Sequence, residues 1–326
     1  MAKPLNGKQL KDEKLTQLRI AQLALIPVFV MASGCHFFAP KQELPQVFSA
    51  TPTLEQITGS INENTKRAKQ IEGNVTVSMD GLPNLKGNLA LEQPRNLRIQ
   101  AGVLGISELG VDIGSNDDVF WVWSKASGAG MEPMLLYANH EEFARSDAAK
   151  TLPIQPKWIV EALGLVTFDP ADQHQGPFPN KGRYEVRSTL NSPKGAITRT
   201  VLVNQKTGVI EQMALYDAQN QMIAYANSTK FQYDPETNVK IPRHVDIFFL
   251  DPTGKQIKLT IAASRNGYRI NQIWGDPDLL WKMPQPADVR ILDISRVPVA
   301  TQAPSNIEAN GNGERAAMPP RGYQYR

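Results

Sequence analysis

Along most of the chain, apolar and polar residues alternate. Val75, Val77 and Met79 alternate with Asn74, Thr76 and Ser78, and Leu85, Gly87, Leu89 and Leu91 share one face of the next run. A period of two belongs to half-buried strands, because successive side chains point to opposite faces of a sheet. The same reading covers 96–104, 108–115 and 117–125, then 183–190, 198–204, 209–217, 221–233, 242–250 and 255–265. Gly, Pro, Asn and Asp separate these runs, as in a meander of hairpins. The spacing predicts ten or eleven strands. Strands do not alternate with long helices, so the sheet is predicted to be antiparallel.

The period changes in two places. Leu54, Ile57, Ile61, Ala68 and Ile71 recur mostly at helical spacing, with Thr53 and Gln56 placed as a capping box. Lys66, Arg67 and Lys69 suit the end of that helix, and Gly73 is read as its stop. At 139–164, Asn139 caps a short helix, and PKWIVEALG forms a second with Pro156 in its first turn and Gly164 just past its end. Residues 169–182 (DPADQHQGPFPNKG) read as a polar loop.

The first 34 residues have a different character. Lys3, Lys8, Lys11, Lys14 and Arg19 precede an apolar run from Ile20 to Met31, and Ala32-Ser33-Gly34 leads into Cys35. A positive start, a short apolar segment and a small-residue site make a secretory signal. Twelve helical residues reach about 18 Å, short of the ~30 Å hydrocarbon core. Cys35 is the single cysteine of the chain. Met31-Ala32-Ser33-Gly34-Cys35 resembles a lipobox, with Ala32 where Leu is usual. Cys35 is therefore expected to carry a diacylglycerol and an N-acyl chain, and to start the mature protein. An ordinary signal peptide with a free cysteine, or an uncleaved anchor, is the alternative. His36, in place of Asp, favours the outer membrane over the inner, with the protein facing the periplasm.

Charge follows from that cleavage. The whole chain has 35 basic and 32 acidic residues, and a net charge of +3. Beyond residue 34 the two are equal, so the excess belongs to the leader. A nucleic-acid partner, which needs a basic patch on the folded domain, is not expected. Residues 36–52 hold three prolines and no clean period, as a tether would. Residues 298–326 lack apolar periodicity and are predicted to be disordered.

Catalytic signatures are sparse. His140-Glu141 begins an HExxH motif, but Ala144 stands where its second His would be. There is no cysteine pair for zinc, no G-x-S-x-G elbow and no Walker sequence. Neither an enzyme nor a resident metal or cofactor is expected. Aromatic residues are more telling. In Val119-Phe120-Trp121-Val122-Trp123 both faces are apolar, and His244 to Leu250 has a similar pattern. Such strands are buried on both sides, by core packing or with one face lining a cavity. Val119, Trp121, Trp123 and Phe248, with Trp158 on the second inserted helix, are the cavity candidates.

Five segments together resemble the periplasmic lipoprotein carriers and outer-membrane lipoprotein receptors of the LolA/LolB type. They are Lys86-Gly87-Asn88-Leu89-Ala90-Leu91 with Pro94 and Arg98; Ser115 to Trp123; Val203 to Gly208 with Leu215 to Ala218; Pro242, Asp251 and Gly254; and Trp281-Lys282-Met283-Pro284 with Val289 to Asp293. The resemblance implies a mainly β (α+β) fold. That fold is a half-open, strongly curved antiparallel barrel with a leading helix and helices inserted in its opening. It also implies that the concave face binds acyl chains or another amphiphile. The expected organisation is a signal peptide over 1–34, a lipidated tether over 35–52, a half-barrel domain over 53–297 and a tail over 298–326. The expected protein is a monomer held at the membrane by its lipid. It binds or hands on a lipid or an acylated protein; the alternative is a non-catalytic envelope scaffold for a protein partner.

Overall fold

A computed structural model describes residues 43–296, apart from 82, 104–105, 126–131, 152–155, 192–194, 251–255 and 288. The leader, Cys35 and the tail beyond 296 lie outside the described residues. Helix α1 (Leu54–Arg67) comes first, followed by strands β1 (Gln70–Met79), β2 (Leu85–Glu92), β3 (Asn96–Val103), β4 (Ile106–Ser115), β5 (Val119–Ser124) and β6 (Met134–Asn139). Helices α2 (His140–Arg145), α3 (Ala148–Thr151) and α4 (Pro156–Ala162) interrupt the meander. It resumes with β7 (Gln173–Asn180), β8 (Arg183–Leu190), β9 (Ile197–Asn204), β10 (Ile210–Tyr216), β11 (Met222–Asp234), β12 (Val239–Leu250) and β13 (Gln256–Ala263). Then come β14 (Arg269–Ile270), a one-turn helix α5 (Pro277–Leu280) and β15 (Arg290–Asp293).

All the strands join one sheet, in the order β15-β6-β5-β4-β3-β2-β1-β13-β12-β11-β10-β9-β8-β7, with β14 beside β1. The fold is mainly β with few helices, as the pattern predicts, but four expectations need correction. The described sheet has fifteen strands, not ten or eleven. It is mixed, because β15 runs parallel to β6 after the chain crosses back over the sheet. It is neither closed nor strongly curled, so the strongly curved barrel is not what forms. Its free edges are finished locally instead: β7 carries Pro177 and Pro179, which have no N–H to donate to a further strand. Finally, residues 173–180 form that edge strand and not a loop, with a bulge between Gln175 and Phe178.

Helix α1 starts where its cap predicts. The Thr53 hydroxyl accepts from the Gln56 amide at 3.3 Å, and the Gln56 side chain accepts from the Thr53 amide at 2.9 Å. The helix ends at Arg67, earlier than Gly73. The Gln93 side chain donates to the carbonyls of Thr65 and Ala68, which otherwise lack partners at the helix end. Ile71 therefore enters the core from β1. Gly73 has a different task, for a Cβ there would lie 2.9 Å from both the Gly267 carbonyl and the Tyr268 ring.

The pleat divides the sheet into two faces. On the inner face, Ile71, Val75, Leu89, Leu91, Leu97 and Ile99 pack with Ile57 and Ile61 of α1 and Ile159 and Ala162 of α4. Asn62 fixes the 165–168 segment to α1 through both its side-chain atoms and the Phe168 backbone, at 2.9 and 2.7 Å. The outer face bears Glu72, Asn88, Arg98 and Asp112. Across it runs a strap, residues 271–287. The Trp274 amide donates to Glu72 at 2.7 Å, Arg98 donates to the carbonyls of Leu279 and Leu280, and the Trp281 indole donates to Glu92 at 3.1 Å. The strap then delivers β15 to the edge of β6.

Candidate functional site

A largely apolar opening lies between the inserted helices and the inner face. Asn139 fixes α2, its side chain accepting from the amides of Glu141 and Glu142. This aims Phe143 at Phe120 on β5, where the rings meet edge to face at 5.0 Å. Pro156 starts α4 nearby, and Gly164 (φ 83°) turns the chain away beneath Pro242. Between α2 and α4 remains a cleft of about 520 Å³, with Phe120, Phe143, Val160 and Leu165 among its apolar walls. Its size falls within the range of small-ligand sites, ~300–1,000 Å³.

The polar groups of the cleft lie at its rim and base. Arg95, Lys157 and Glu141 stand exposed at the rim. His140 donates from Nε2 to the Asn116 carbonyl at 2.9 Å, and burial pushes its pKa down, so the ring is neutral at pH 7. At the base, Arg199 Nη1 donates to Glu161 Oε1 at 2.9 Å, and Nη2 donates to the Thr167 carbonyl at 2.9 Å. Burial raises the Glu161 pKa, against the pull of Arg199 and Lys157. Among the described residues, no group of three or more His, Cys, Asp and Glu side chains is placed to hold a metal.

The residues singled out from sequence do not converge here. The strand registers put Val119, Trp121, Trp123 and Phe248 on the outer face, away from α1 and the inserted helices. Trp121 is fully buried there, lying across Gly114, where a Cβ would fall 2.1 Å from the ring. Its indole donates to Asp112, which Arg98 holds through two bonds. Trp123 is half-buried with Lys125 Nζ 4.5 Å from its ring centre, and Phe248 stacks on Tyr225 at 4.3 Å. Val119 is half-buried at the start of β5. Trp158 alone faces inward, from α4. Only about 10 Å³ is left open beside it, among Ala162, Met213, Leu215 and Phe249, room for one water at most.

The sequence pattern does not single out the cleft residues Phe120, Phe143, Val160 and Leu165. The available signal was the alternation within β5 itself, which sets Phe120 opposite Trp121. Choosing the inward face needs the cross-strand register. Cys35 and its expected acyl chains lie outside the described residues.

Another opening, of about 310 Å³, lies beside α1 and takes in Val47 of the segment before it. There Lys240 Nζ donates to the carbonyls of Pro45 (3.1 Å) and Thr207 (2.7 Å), and burial lowers its pKa to about 8. Residues 45–48 are thus tied to the domain, because the Val47 amide also donates to the Lys206 carbonyl at 2.7 Å.

No protein-family model matches the chain, and no curated protein matches it either. Solved structures do resemble it. A LolA superfamily protein from Nitrosomonas europaea has 12% identity and a TM-score of 0.41, over 72% of this chain and 99% of that one. A domain described as an outer membrane lipoprotein-sorting protein, from Vibrio parahaemolyticus, has 7% identity and a TM-score of 0.45, over 70% and 97%. A DUF1329 family protein from Desulfovibrio piger has 10% identity and a TM-score of 0.42, over 69% and 99%. The structural neighbours of this chain are thus LolA-superfamily and lipoprotein-sorting domains, at low sequence identity.

Proposed function

We propose that this protein is a non-catalytic, lipid-anchored envelope protein that binds an amphiphile, with an acyl chain in the cleft between α2 and α4. The observation that carries the reading is the cleft itself. Phe120, Phe143, Val160 and Leu165 offer an apolar surface, while Arg95 and Lys157 at the rim suit an anionic headgroup. Each buried methylene contributes about 0.8 kcal/mol, so a chain lying along such walls is held without any charged contact in the interior. The Cys35 anchor would fix the protein at a membrane, outer rather than inner. A tethered binder or receptor fits this better than a diffusing shuttle.

The test is native mass spectrometry of protein purified from a bacterial host, followed by organic extraction. The expected result is a bound amphiphile that extraction removes and that Val160→Trp, by filling the cleft, prevents from binding. An empty protein, or the same occupancy in Val160→Trp, would refute the reading. Anchoring is tested separately: Cys35→Ser should move the protein from the membrane to the soluble fraction.

A second reading is favoured by the strap. Trp274 is 72% exposed and Leu279 66%, on the outer face and away from the cleft. Large exposed apolar side chains of this kind suit a protein partner, as a scaffold would require. Cross-linking in intact cells that joins the strap to one protein at a fixed stoichiometry, with the cleft empty, would favour it.

A further inference from the structure

The outer face carries a second concavity, of about 670 Å³, across β8 to β11. Strand register creates it. Arg187, Thr200, Ala214 and Tyr225 stand in one row across the four strands, and Glu185, Leu202, Gln212 and Asn227 stand in the next. Ala214 is the low point of the first row, a methyl group between a threonine and a tyrosine. Tyr216 stands two residues along on the same face of β10. Beyond it, Asn220 and Met222 at the β10–β11 turn close one end.

The chemistry differs from that of the cleft under the helices. No net charge is offered, because Arg187 and Glu185 pair at 2.6 Å and the guanidinium lies 5.1 Å from the Phe178 ring centre. Gln212 donates to the Asn227 side chain at 3.0 Å, a bond that engages neither Gln212 Oε1 nor Asn227 Nδ2. Thr198 and Thr200 add hydroxyl groups. Tyr225 is held flat against Phe248, with an interplanar angle of 11°. Burial and the nearby Glu185 carboxylate raise the Tyr216 pKa, so its phenol keeps its proton and can donate.

Flat aromatic surface beside a row of paired amides and hydroxyls is the complement of a pyranose ring. Such a ring has an apolar C–H face and a rim of groups that each donate and accept. An acyl chain would strip water from the amides and threonines and return no hydrogen bond. A free anion would find the Arg187 guanidinium already paired with Glu185. We propose that this outer face binds a neutral oligosaccharide, with a sugar ring over Ala214 against the tyrosines and its hydroxyls on the Gln212–Asn227 pair. The proposal does not rest on the amphiphile reading, because the two openings lie on opposite faces of the sheet.

The test is calorimetric titration of the full chain in detergent with chitotetraose and, separately, with maltotetraose. At least one should bind saturably. Ala214→Leu, which fills the floor, and Gln212→Ala, which removes an amide, should each weaken binding about tenfold or more. Both should leave the melting transition in place, and Val160→Trp should leave sugar binding unchanged. No saturable heat with either sugar at millimolar concentrations would overturn the proposal. So would binding that neither outer-face variant weakens.

Discussion

Arg199 and Glu161 meet at 2.9 Å with side chains only 1% and 4% exposed. Each replaces much of the water the other has lost, and the Thr167 carbonyl takes a further guanidinium donor. Removing one partner of such a pair costs more than removing both, because a single buried charge is left behind. Arg199→Met is therefore expected to lower stability by about 3–5 kcal/mol, read from urea denaturation at pH 7. Adding Glu161→Gln in the same chain should restore most of that loss. The pH dependence has a definite sign. The Glu161 pKa is raised in the folded state, so between its ordinary and folded values the native protein binds the proton more tightly than the unfolded chain does. Stability from this group is present at low pH and lost as pH rises through the folded pKa. In Arg199→Met, where the opposing cation is gone, that decline should extend to higher pH.

Elements differ in how firmly they are held. Strand β1 is paired on both sides and packed by α1, whereas β7 is an outermost strand with two prolines and a bulge. Hydrogen exchange should show the β7 amides exchanging well before those of β1 and β12; equal protection would contradict this ranking. The same contrast explains what could be read from the residues. Strands β1, β2 and β13 advertise themselves through strict alternation, and α1, α2 and α4 through Thr53, Asn139 and Pro156. Strand β6 does not, because Met134, Leu135 and Leu136 run without a period. Strand β7 looks like a turn, since proline and glycine are tolerated where no further strand must pair. Strand β15 exists only through pairing with residues more than 150 positions earlier. The candidate site divides in the same way. The helices that roof it are local features, but the face that β5 turns toward them depends on register across several strands.

At the scale of the whole molecule, the strap makes the charged outer face necessary. Arg98 joins Asp112 at 2.8 Å to the carbonyls of Leu279 and Leu280, so one guanidinium holds both the sheet and the covering segment. Asp112 is buried, and losing its cation leaves it, among the described residues, Gln100 and the Trp121 indole. Arg98→Ala is expected to cost about 3 kcal/mol and to open residues 271–287 to limited proteolysis under native conditions. Unchanged cleavage and an unchanged urea midpoint would show that the strap is held by other means.

The order of strands has one more consequence, and it concerns time. At the centre of the sheet β1 pairs with β13, Val75 facing Ala263. A polypeptide is made N-terminus first, so β1 to β6 can form their hairpins while the strand that completes their inner edge is still to come. Closing so long a loop is slow, and the open edge of β1 is a template for wrong pairing until it closes. The two halves can become one sheet only when the chain has been made as far as β13.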